Sequence, residues 1–186
     1  MEKNLYIIAG CNGAGKTTAA YNILPEIQCK EFVNADEIAR GLSPLNVEGV
    51  AIQAGRLMLK RIDELLNEGV TFAIETTLST RSYVKLVTKA QQRGYEVHLL
   101  FCWLNSPDVA KLRVEQRVAN GGHGIPADTI ERRYWRGIRN FFELYCDIVD
   151  TWTLVDNREN ELYVIATSKE VINHTLYQQI IVSYAR

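Results

Sequence analysis

The chain has 186 residues, 47% hydrophobic and 23% charged, which is the composition and length of one globular domain. A formal net charge of −1 argues against a bulk basic surface for long nucleic acid or an anionic membrane. The four cysteines form no C-x-x-C pair, and no apolar run reaches membrane-spanning length. We therefore expect a single cytoplasmic domain over residues 1–186, with reduced thiols and no room for a signal peptide before the first strand.

An apolar run at residues 5–9 predicts a short buried strand, and a glycine-rich segment follows it directly. Residues 10–17, GCNGAGKT, match the phosphate-binding pattern of glycine, four residues, glycine, lysine and threonine. A predicted helix over residues 16–23 completes the strand, loop and helix that this pattern requires. We call residues 10–17 the phosphate loop and expect it to bind a nucleoside triphosphate. The predicted nucleotide contacts are Gly10, Asn12, Gly13, Ala14, Gly15, Lys16, Thr17 and Thr18.

Two side chains of the phosphate loop have predicted roles beyond holding the nucleotide. Lys16 can reach the outer phosphates, so we expect it to be catalytic. The Thr17 hydroxyl can join the coordination of Mg²⁺, which makes Thr17 the predicted metal ligand.

Further along the chain, predicted strands alternate with predicted helices. The strands are expected at residues 31–33, 70–74, 95–104, 151–155 and 162–166, and the long helices at 47–67, 81–92, 106–119, 128–145 and 169–184. This alternation predicts an α/β three-layer sandwich with a mostly parallel sheet of five or six strands. The apolar strand at 95–104 is expected at its centre beside the first strand. Because ligands bind at the carboxyl ends of such strands, we expect the site there.

Asp36 follows the second predicted strand, within the sequence Asn34-Ala35-Asp36. A carboxylate at this position can orient an attacking hydroxyl and accept its proton. An aspartate here can equally cap the short helical turn that follows. The sequence leaves both roles open, and we include Asp36 among the catalytic and substrate-binding residues.

Glu75 ends the third predicted strand, before a run of hydroxyl side chains. It can bind Mg²⁺ through water or hold substrate hydroxyls, and a structural alternative is capping of the next helix. The hydroxyls of Thr76, Thr77, Ser79 and Thr80 suit a polar acceptor or the same capping role. We predict that Glu75 and Thr77 bind substrate.

Residues 113–139 form the basic part of a nearly neutral chain, with two predicted helices joined by the glycine-rich segment 120–126. Arg113 and Arg117 share one helical face, while Arg132, Arg136 and Arg139 share a face of the next helix. A hinged pair of helices carrying arginines suits a lid that closes on phosphates. Solvated surface is the alternative for about half of these arginines, and His123 is either a loop histidine or a phosphate contact.

Four blocks in this order resemble the zeta toxin-like P-loop kinases: residues 9–18, Asn34 to Asp36, Glu75 to Leu78, and residues 121–126 followed by Arg132 and Arg133. The resemblance covers residues 7 to about 157. It implies an adenylate-kinase-like sheet, ATP with Mg²⁺, and phosphoryl transfer to a small molecule. It also implies that Asp36 activates the acceptor hydroxyl, that Glu75 and Thr77 lie at the acceptor, and that Arg117 and a lid arginine reach the γ-phosphate. We take Arg136 as that arginine and add His123 to the substrate-binding residues.

Toxin members of this family phosphorylate a UDP-linked amino sugar and are inhibited by a small helical antitoxin, so UDP-N-acetylglucosamine and an antitoxin-like protein are implied for this chain. The chain departs from the toxins at Ser79, where a basic residue is expected, and at His123, where arginine is expected. Two alternatives to a small-molecule kinase stay open. They are a polynucleotide-end kinase, supported by the basic lid, and a nucleotide-dependent switch with no acceptor.

Overall fold

The computed structural model describes residues 2–158 and 161–184. The strands are β1 (Lys3–Gly10), β2 (Glu31–Val33), β3 (Phe72–Thr76), β4 (Tyr95–Trp103), β5 (Thr151–Asp156) and β6 (Tyr163–Thr167). They form one six-stranded sheet in the order β2-β3-β1-β4-β5-β6. All neighbouring pairs are parallel except β5 and β6, which are antiparallel. The predicted α/β class and mostly parallel sheet are therefore confirmed.

Helices connect the strands and cover the sheet. They are α1 (Lys16–Glu26), α2 (Ala35–Leu42), α3 (Ala51–Glu68), α4 (Tyr83–Gln92), α5 (Pro107–Ala119), α6 (Ala127–Asn140) and α7 (His174–Tyr184). The helix expected at 128–145 ends as α6 at Asn140 and continues as one π-helical turn, Phe141–Tyr145. The last helix starts at His174 and not at 169, because Val171 forms a bridge with Ala166 before the helix begins. Among the described residues, no helix is long and apolar enough to span a membrane.

Strand β1 occupies the middle of the sheet, as its apolar sequence predicts. It pairs with β3 on one side and with β4 on the other. Leu5, Ile7, Ile8 and Ala9 are all buried, so successive side chains on both faces of this strand are covered. Burial of both faces explains why the strand is a continuous apolar run rather than an alternating one.

The buried face of α3 differs from the one that its leucines suggest. Ala54, Met58, Ile62, Leu65 and Leu66 are buried, whereas Ile52 and Leu59 are 76% and 58% exposed. The spacing of the large apolar residues in this segment predicts that Ile52, Leu57 and Leu59 belong to its apolar face, but the structure leaves all three exposed. The i, i+4 spacing of Ala54, Met58 and Ile62 selects the stripe that packs on the sheet.

The carboxyl ends of β1, β2 and β3 meet at one edge of the sheet. In the parallel register, Ala9 lies opposite Thr76 and Val33 lies opposite Ile74. The loops that follow these three strands therefore converge, which brings together segments far apart in the sequence. This edge is where the topology predicts a ligand site.

Candidate active site

The phosphate loop turns sharply between β1 and α1, and three of its glycines make that turn possible. Gly10, Gly13 and Gly15 have φ angles of +142°, +80° and +76°, a region that side chains rarely adopt. At Gly10 a Cβ atom would lie 2.4 Å from the Cys102 carbonyl oxygen, and at Gly13 it would lie 2.7 Å from that of Ala110. The loop thus has both the backbone angles and the close packing that the glycine pattern predicted.

Side chains from three later segments hold the phosphate loop in place. The Asn157 side chain is buried and donates from Nδ2 to the Ala14 carbonyl oxygen at 2.6 Å. Arg133 Nη1 donates to Asn12 Oδ1 at 3.2 Å, and Arg113 Nη1 donates to the Gly13 carbonyl oxygen at 3.5 Å. Sequence reasoning assigned none of these contacts. The position of Asn157 directly after β5 was the one available signal.

Lys16 and Glu75 form the centre of the site. Lys16 Nζ donates to the Cys11 carbonyl oxygen at 2.9 Å and lies 3.5 Å from Glu75 Oε1. Glu75 Oε2 accepts hydrogen bonds from Thr17 Oγ1 at 2.7 Å and from Asn34 Nδ2 at 2.8 Å. Glu75 is therefore bound to the two residues of the phosphate loop that were expected to contact phosphate and metal. This arrangement favours the metal-side role of Glu75, although the residue also lines the cavity described below.

Asp36 lies in the first turn of α2 and does not cap that helix. The cap is Asn34, whose Oδ1 accepts from the backbone N–H groups of Asp36 at 2.8 Å and Glu37 at 3.4 Å. The Asp36 carboxylate is 48% exposed and lies 3.5 Å from His123 Nε2. Because Asn34 performs the capping, the Asp36 carboxylate remains available to a ligand.

The loop between α5 and α6 approaches Asp36 through His123. Arg117 Nη2 donates to the His123 carbonyl oxygen at 2.9 Å and lies 3.5 Å from His123 Nε2. Burial lowers the pKa of both side chains, and the nearby Arg117 charge further lowers the pKa of His123. Within residues 2–158 and 161–184, the Arg117 Nε atom is buried and has no hydrogen-bond partner. The structure therefore places His123 beside Asp36 and Arg117 beside His123.

The lid arginine that contacts the phosphate loop is Arg133. Arg136, which was expected in this place, lies elsewhere on α6. Arg133 lies on the same side of α6 as the buried Ile130 and Gly137, and it contacts the phosphate loop. Arg136 is exposed and does not line the cavity. Thr18, expected at the nucleotide, is also exposed, on the outer side of the first turn of α1. The helical pattern identified a basic face of α6 but not which arginine faces the sheet.

A cavity of about 270 Å³ opens beside the phosphate loop. Its lining combines the charged side chains of Lys16, Asp36, Glu75 and Arg133 with several hydroxyl side chains. The hydroxyl residues are Thr76, Thr77, Ser79, Thr80, Ser82 and Tyr83. Four of them belong to the segment that joins β3 to α4, residues 77–82, which we call the β3–α4 loop.

The β3–α4 loop is held in an unusual conformation by contacts from the far end of α6. Leu78 is fully buried with a φ of +56°, which is strained for a leucine. Asn140 Nδ2 donates to the Leu78 carbonyl oxygen at 2.8 Å, and the Tyr145 hydroxyl donates to the Thr80 carbonyl oxygen at 2.9 Å. A Cβ atom at Gly137 would lie 2.7 Å from the Thr77 carbonyl oxygen. Helix α6 and the π-turn therefore fix two carbonyl groups of this loop by hydrogen bonds, and Gly137 packs closely against a third.

The chain is similar in sequence to one protein family and to a bacterial protein. The family model described as zeta toxin matches residues 1–170. An uncharacterised protein of Haemophilus influenzae is 29% identical over 134 residues, which is 72% of this chain and 94% of that protein.

Two solved structures are similar in fold. AvrRxo1-ORF1 in its complex with ORF2 and ATP has a TM-score of 0.77 and 17% identity, and the match covers 96% of this chain. This chain spans 63% of the length of that protein. The PezAT toxin–antitoxin system of Streptococcus pneumoniae gives a TM-score of 0.68 at 18% identity, with 99% of this chain and 85% of the other covered. At such low identity these two structures show a shared fold. The family model, which matches nearly the whole chain, shows that the chain belongs to the zeta toxin family.

Proposed function

We propose that this protein transfers the γ-phosphate of ATP to a hydroxyl group of a small molecule. The observation that carries the proposal is the position of Asp36. Its carboxylate is free of the capping role and lines the same cavity as Lys16 and Arg133. A hydroxyl bound there would lie between a base and the two cations that are suited to phosphate.

The proposed step follows from these positions. The acceptor oxygen attacks the γ-phosphorus in line, and its proton passes to the Asp36 carboxylate. A new bond forms between the acceptor oxygen and the γ-phosphorus, while the bond from that phosphorus to the bridging oxygen of ADP breaks. Lys16 and Arg133 stabilise the negative charge on the transferring group, and Arg117 joins them as the lid closes. The similar fold of AvrRxo1-ORF1, solved with ATP, supports ATP as the donor.

The residues around Thr17 fit a magnesium ion. Thr17 offers a hydroxyl oxygen with the Glu75 carboxylate 2.7 Å away, and hard oxygen ligands are what Mg²⁺ prefers. Among the described residues there is no group of three or more His, Cys, Asp or Glu side chains placed to hold a metal. Mg²⁺ is commonly held by one or two protein oxygens together with substrate phosphates, and Thr17 with Glu75 would supply such oxygens. When bound, Mg²⁺ neutralises charge on the β- and γ-phosphates.

A protein inhibitor is a further part of the proposal. The solved structures that share this fold include AvrRxo1-ORF1 with ORF2 and the PezAT toxin–antitoxin system. Family membership and these complexes support an antitoxin-like partner for this chain. Dependence on ATP supports a cytoplasmic location, where that nucleotide is abundant.

Substitution of Asp36 by asparagine tests the proposed base. Asp36→Asn keeps the shape of the side chain but removes its proton affinity, so acceptor phosphorylation should fall by about 10²-fold or more. ATP affinity, measured by calorimetry, should change little because the phosphate loop is untouched. Asp108→Asn is the matched control, since Asp108 is also in the first turn of a helix and is 84% exposed. Unchanged transfer in Asp36→Asn would remove Asp36 from the mechanism.

A further inference from the structure

Resting on the proposed function, we infer that Asn34 is a positioning residue, which fixes the proposed base Asp36 relative to the carboxylate of Glu75. The inference comes from the side-chain amide of Asn34, because its oxygen and its nitrogen bind different parts of the site. One end holds the helix that carries Asp36, and the other holds the carboxylate beside the phosphate loop. A single buried side chain thus connects the acceptor side of the cavity to the metal side.

The pairing of neighbouring strands explains how one side chain can reach both places. Asn34 comes directly after β2, and Glu75 is near the carboxyl end of β3. In the parallel register Val33 lies opposite Ile74, so the residues that follow them, Asn34 and Glu75, lie side by side. Strand β3 is in turn paired with β1, which leads into the phosphate loop. The contact between Asn34 and Glu75 therefore follows from the sheet itself.

The oxygen of the Asn34 amide fixes the start of α2. Asn34 Oδ1 accepts hydrogen bonds from the backbone N–H groups of Asp36 at 2.8 Å and Glu37 at 3.4 Å. Because a backbone N–H group can only donate, these contacts assign the oxygen to this end of the amide. One of the donors is the backbone of Asp36, so the cap directly holds the residue whose carboxylate lines the cavity.

The nitrogen of the same amide holds Glu75. Asn34 Nδ2 donates at 2.8 Å to Glu75 Oε2, the oxygen that also accepts from Thr17 Oγ1 at 2.7 Å. The Glu75 side chain is 9% exposed and Asn34 is buried, so water has little access to replace this donor. A carboxylate removed from water depends on such donors for its charge and its orientation. Asn34 therefore orients the Glu75 oxygen that lies beside the proposed magnesium ligand.

Among the side chains that commonly cap helices, asparagine alone can make both contacts. Serine and threonine supply the cap oxygen, but their hydroxyl is a single atom and cannot reach both partners as the two ends of an amide do. Ionised aspartate accepts at both ends and would repel Glu75. Position 34 therefore requires more than a helix cap, and the additional requirement is a donor to Glu75.

Asn34→Ser separates positioning from capping. Serine caps a helix about as well as asparagine, so the variant should fold, while the donor to Glu75 is lost. Turnover of γ-labelled ATP, followed as phosphate transferred to UDP-N-acetylglucosamine and to water, should fall by about 10- to 100-fold. Asn173→Ser is the matched control, because Asn173 Oδ1 also accepts from a helical N–H group, that of Leu176 at 3.0 Å, and Asn173 does not line this cavity.

Calorimetry with a non-hydrolysable ATP analogue gives a second measurement that does not depend on turnover. Each protein is titrated once with Mg²⁺ present and once with EDTA. In EDTA the analogue should bind Asn34→Ser as it binds the wild type, because the phosphate loop is unchanged. The gain in affinity that Mg²⁺ provides should be smaller by about tenfold or more. A residue that only caps α2 would leave this gain unaltered.

Asn34→Asp tests the contact to Glu75 in another way. Aspartate keeps the cap and the shape of the side chain, but it places two carboxylates side by side. Turnover relative to the wild type should be lowest at about pH 8 and should rise as the pH falls toward about 5.5, because a shared proton restores a donor between the two groups. The charged neighbours Lys16 and Asp36 are the same in both proteins. Since the cap is retained, this variant also decides the question if Asn34→Ser does not fold.

The outcomes separate failure of this inference from failure of the proposed function. Folded Asn34→Ser and Asn34→Asp proteins with wild-type turnover and a wild-type response to Mg²⁺ would overturn the positioning role and leave the kinase in place. Equal losses in Asn34→Ser and in the Asn173→Ser control would also overturn it. If the wild-type chain does not bind the ATP analogue, the proposed function itself fails.

Discussion

The phosphate loop and the β3–α4 loop follow neighbouring strands and line the same cavity, yet they are stabilised in different ways. The phosphate loop owes its shape to glycines at positive φ, which are visible in the sequence. The β3–α4 loop has a leucine at positive φ, held by Asn140 and Tyr145 from more than sixty residues away. A short loop can therefore be specified locally by glycine or imposed by distant contacts. Only the first kind leaves a sequence motif.

The largest effect should come from the phosphate loop. Lys16→Ala removes the cation nearest the outer phosphates, so phosphoryl transfer should fall by about 10³-fold or more. The fold should survive, because Glu75 keeps its hydrogen bonds to Thr17 and Asn34. Lys60→Ala is the control, since Lys60 is 75% exposed on α3. Turnover and thermal melting on the same samples decide the outcome, and wild-type turnover in Lys16→Ala would contradict the role of the loop.

The next effect should come from the distant support of the β3–α4 loop. Asn140→Leu leaves the Leu78 carbonyl without its donor, which should cost about 1–3 kcal/mol of unfolding free energy. Transfer to the acceptor should fall by up to about 10²-fold through misplacement of the hydroxyl side chains of the β3–α4 loop. ATP affinity should stay close to that of the wild type. Denaturant unfolding, calorimetry and turnover separate these effects, with Arg139→Leu on the exposed side of α6 as control. Equal losses of ATP affinity and transfer would show that the two loops are not independent.

Replacement of two helical glycines by alanine should change stability in opposite directions. In Gly137→Ala the new methyl group would lie 2.7 Å from the Thr77 carbonyl oxygen, so the variant should lose about 1–3 kcal/mol of stability. At Gly55, in α3, a Cβ atom meets nothing within 4 Å, and Gly55→Ala should gain about 0.5–1 kcal/mol. Chemical denaturation of both proteins measures the difference. A stabilised Gly137→Ala variant would mean that α6 does not pack closely against the β3–α4 loop at this position.

The smallest effect should be the pH dependence from His123. Burial, followed by the Arg117 charge, lowers the pKa of His123 in the folded protein, while Asp36 acts in the opposite direction. The folded state therefore favours neutral imidazole, and stability is lost as pH falls below the ordinary histidine pKa of about 6.5. When the pH is lowered from about 7.5 to about 5.5, the melting temperature of His123→Gln should therefore fall by less than that of the wild type. An identical pH dependence in the two proteins would argue against a depressed pKa.

Local patterns in the sequence determined much of this protein. The phosphate loop, the alternation of strands and helices, the central position of β1 beside β4, and the placement of Asp36 and Glu75 at strand ends all follow from short-range periodicity and glycine spacing. These features could be predicted because each depends on residues adjacent in the chain or on the fixed geometry of parallel sheets.

The tertiary structure decided which of several equivalent side chains reach the site. It selected Arg133 over Arg136, assigned helix capping to Asn34 and so freed Asp36, and turned Glu75 toward Lys16 and Thr17. It also used Asn140 and Asn157 to fix backbone carbonyls in loops distant in sequence. A helical pattern identifies the buried face of a helix but not which of the side chains one turn apart makes a given contact. A strand pattern leaves a similar choice between neighbouring residues. The rotation and packing of the whole element against the sheet determine which side chain on that face makes the contact.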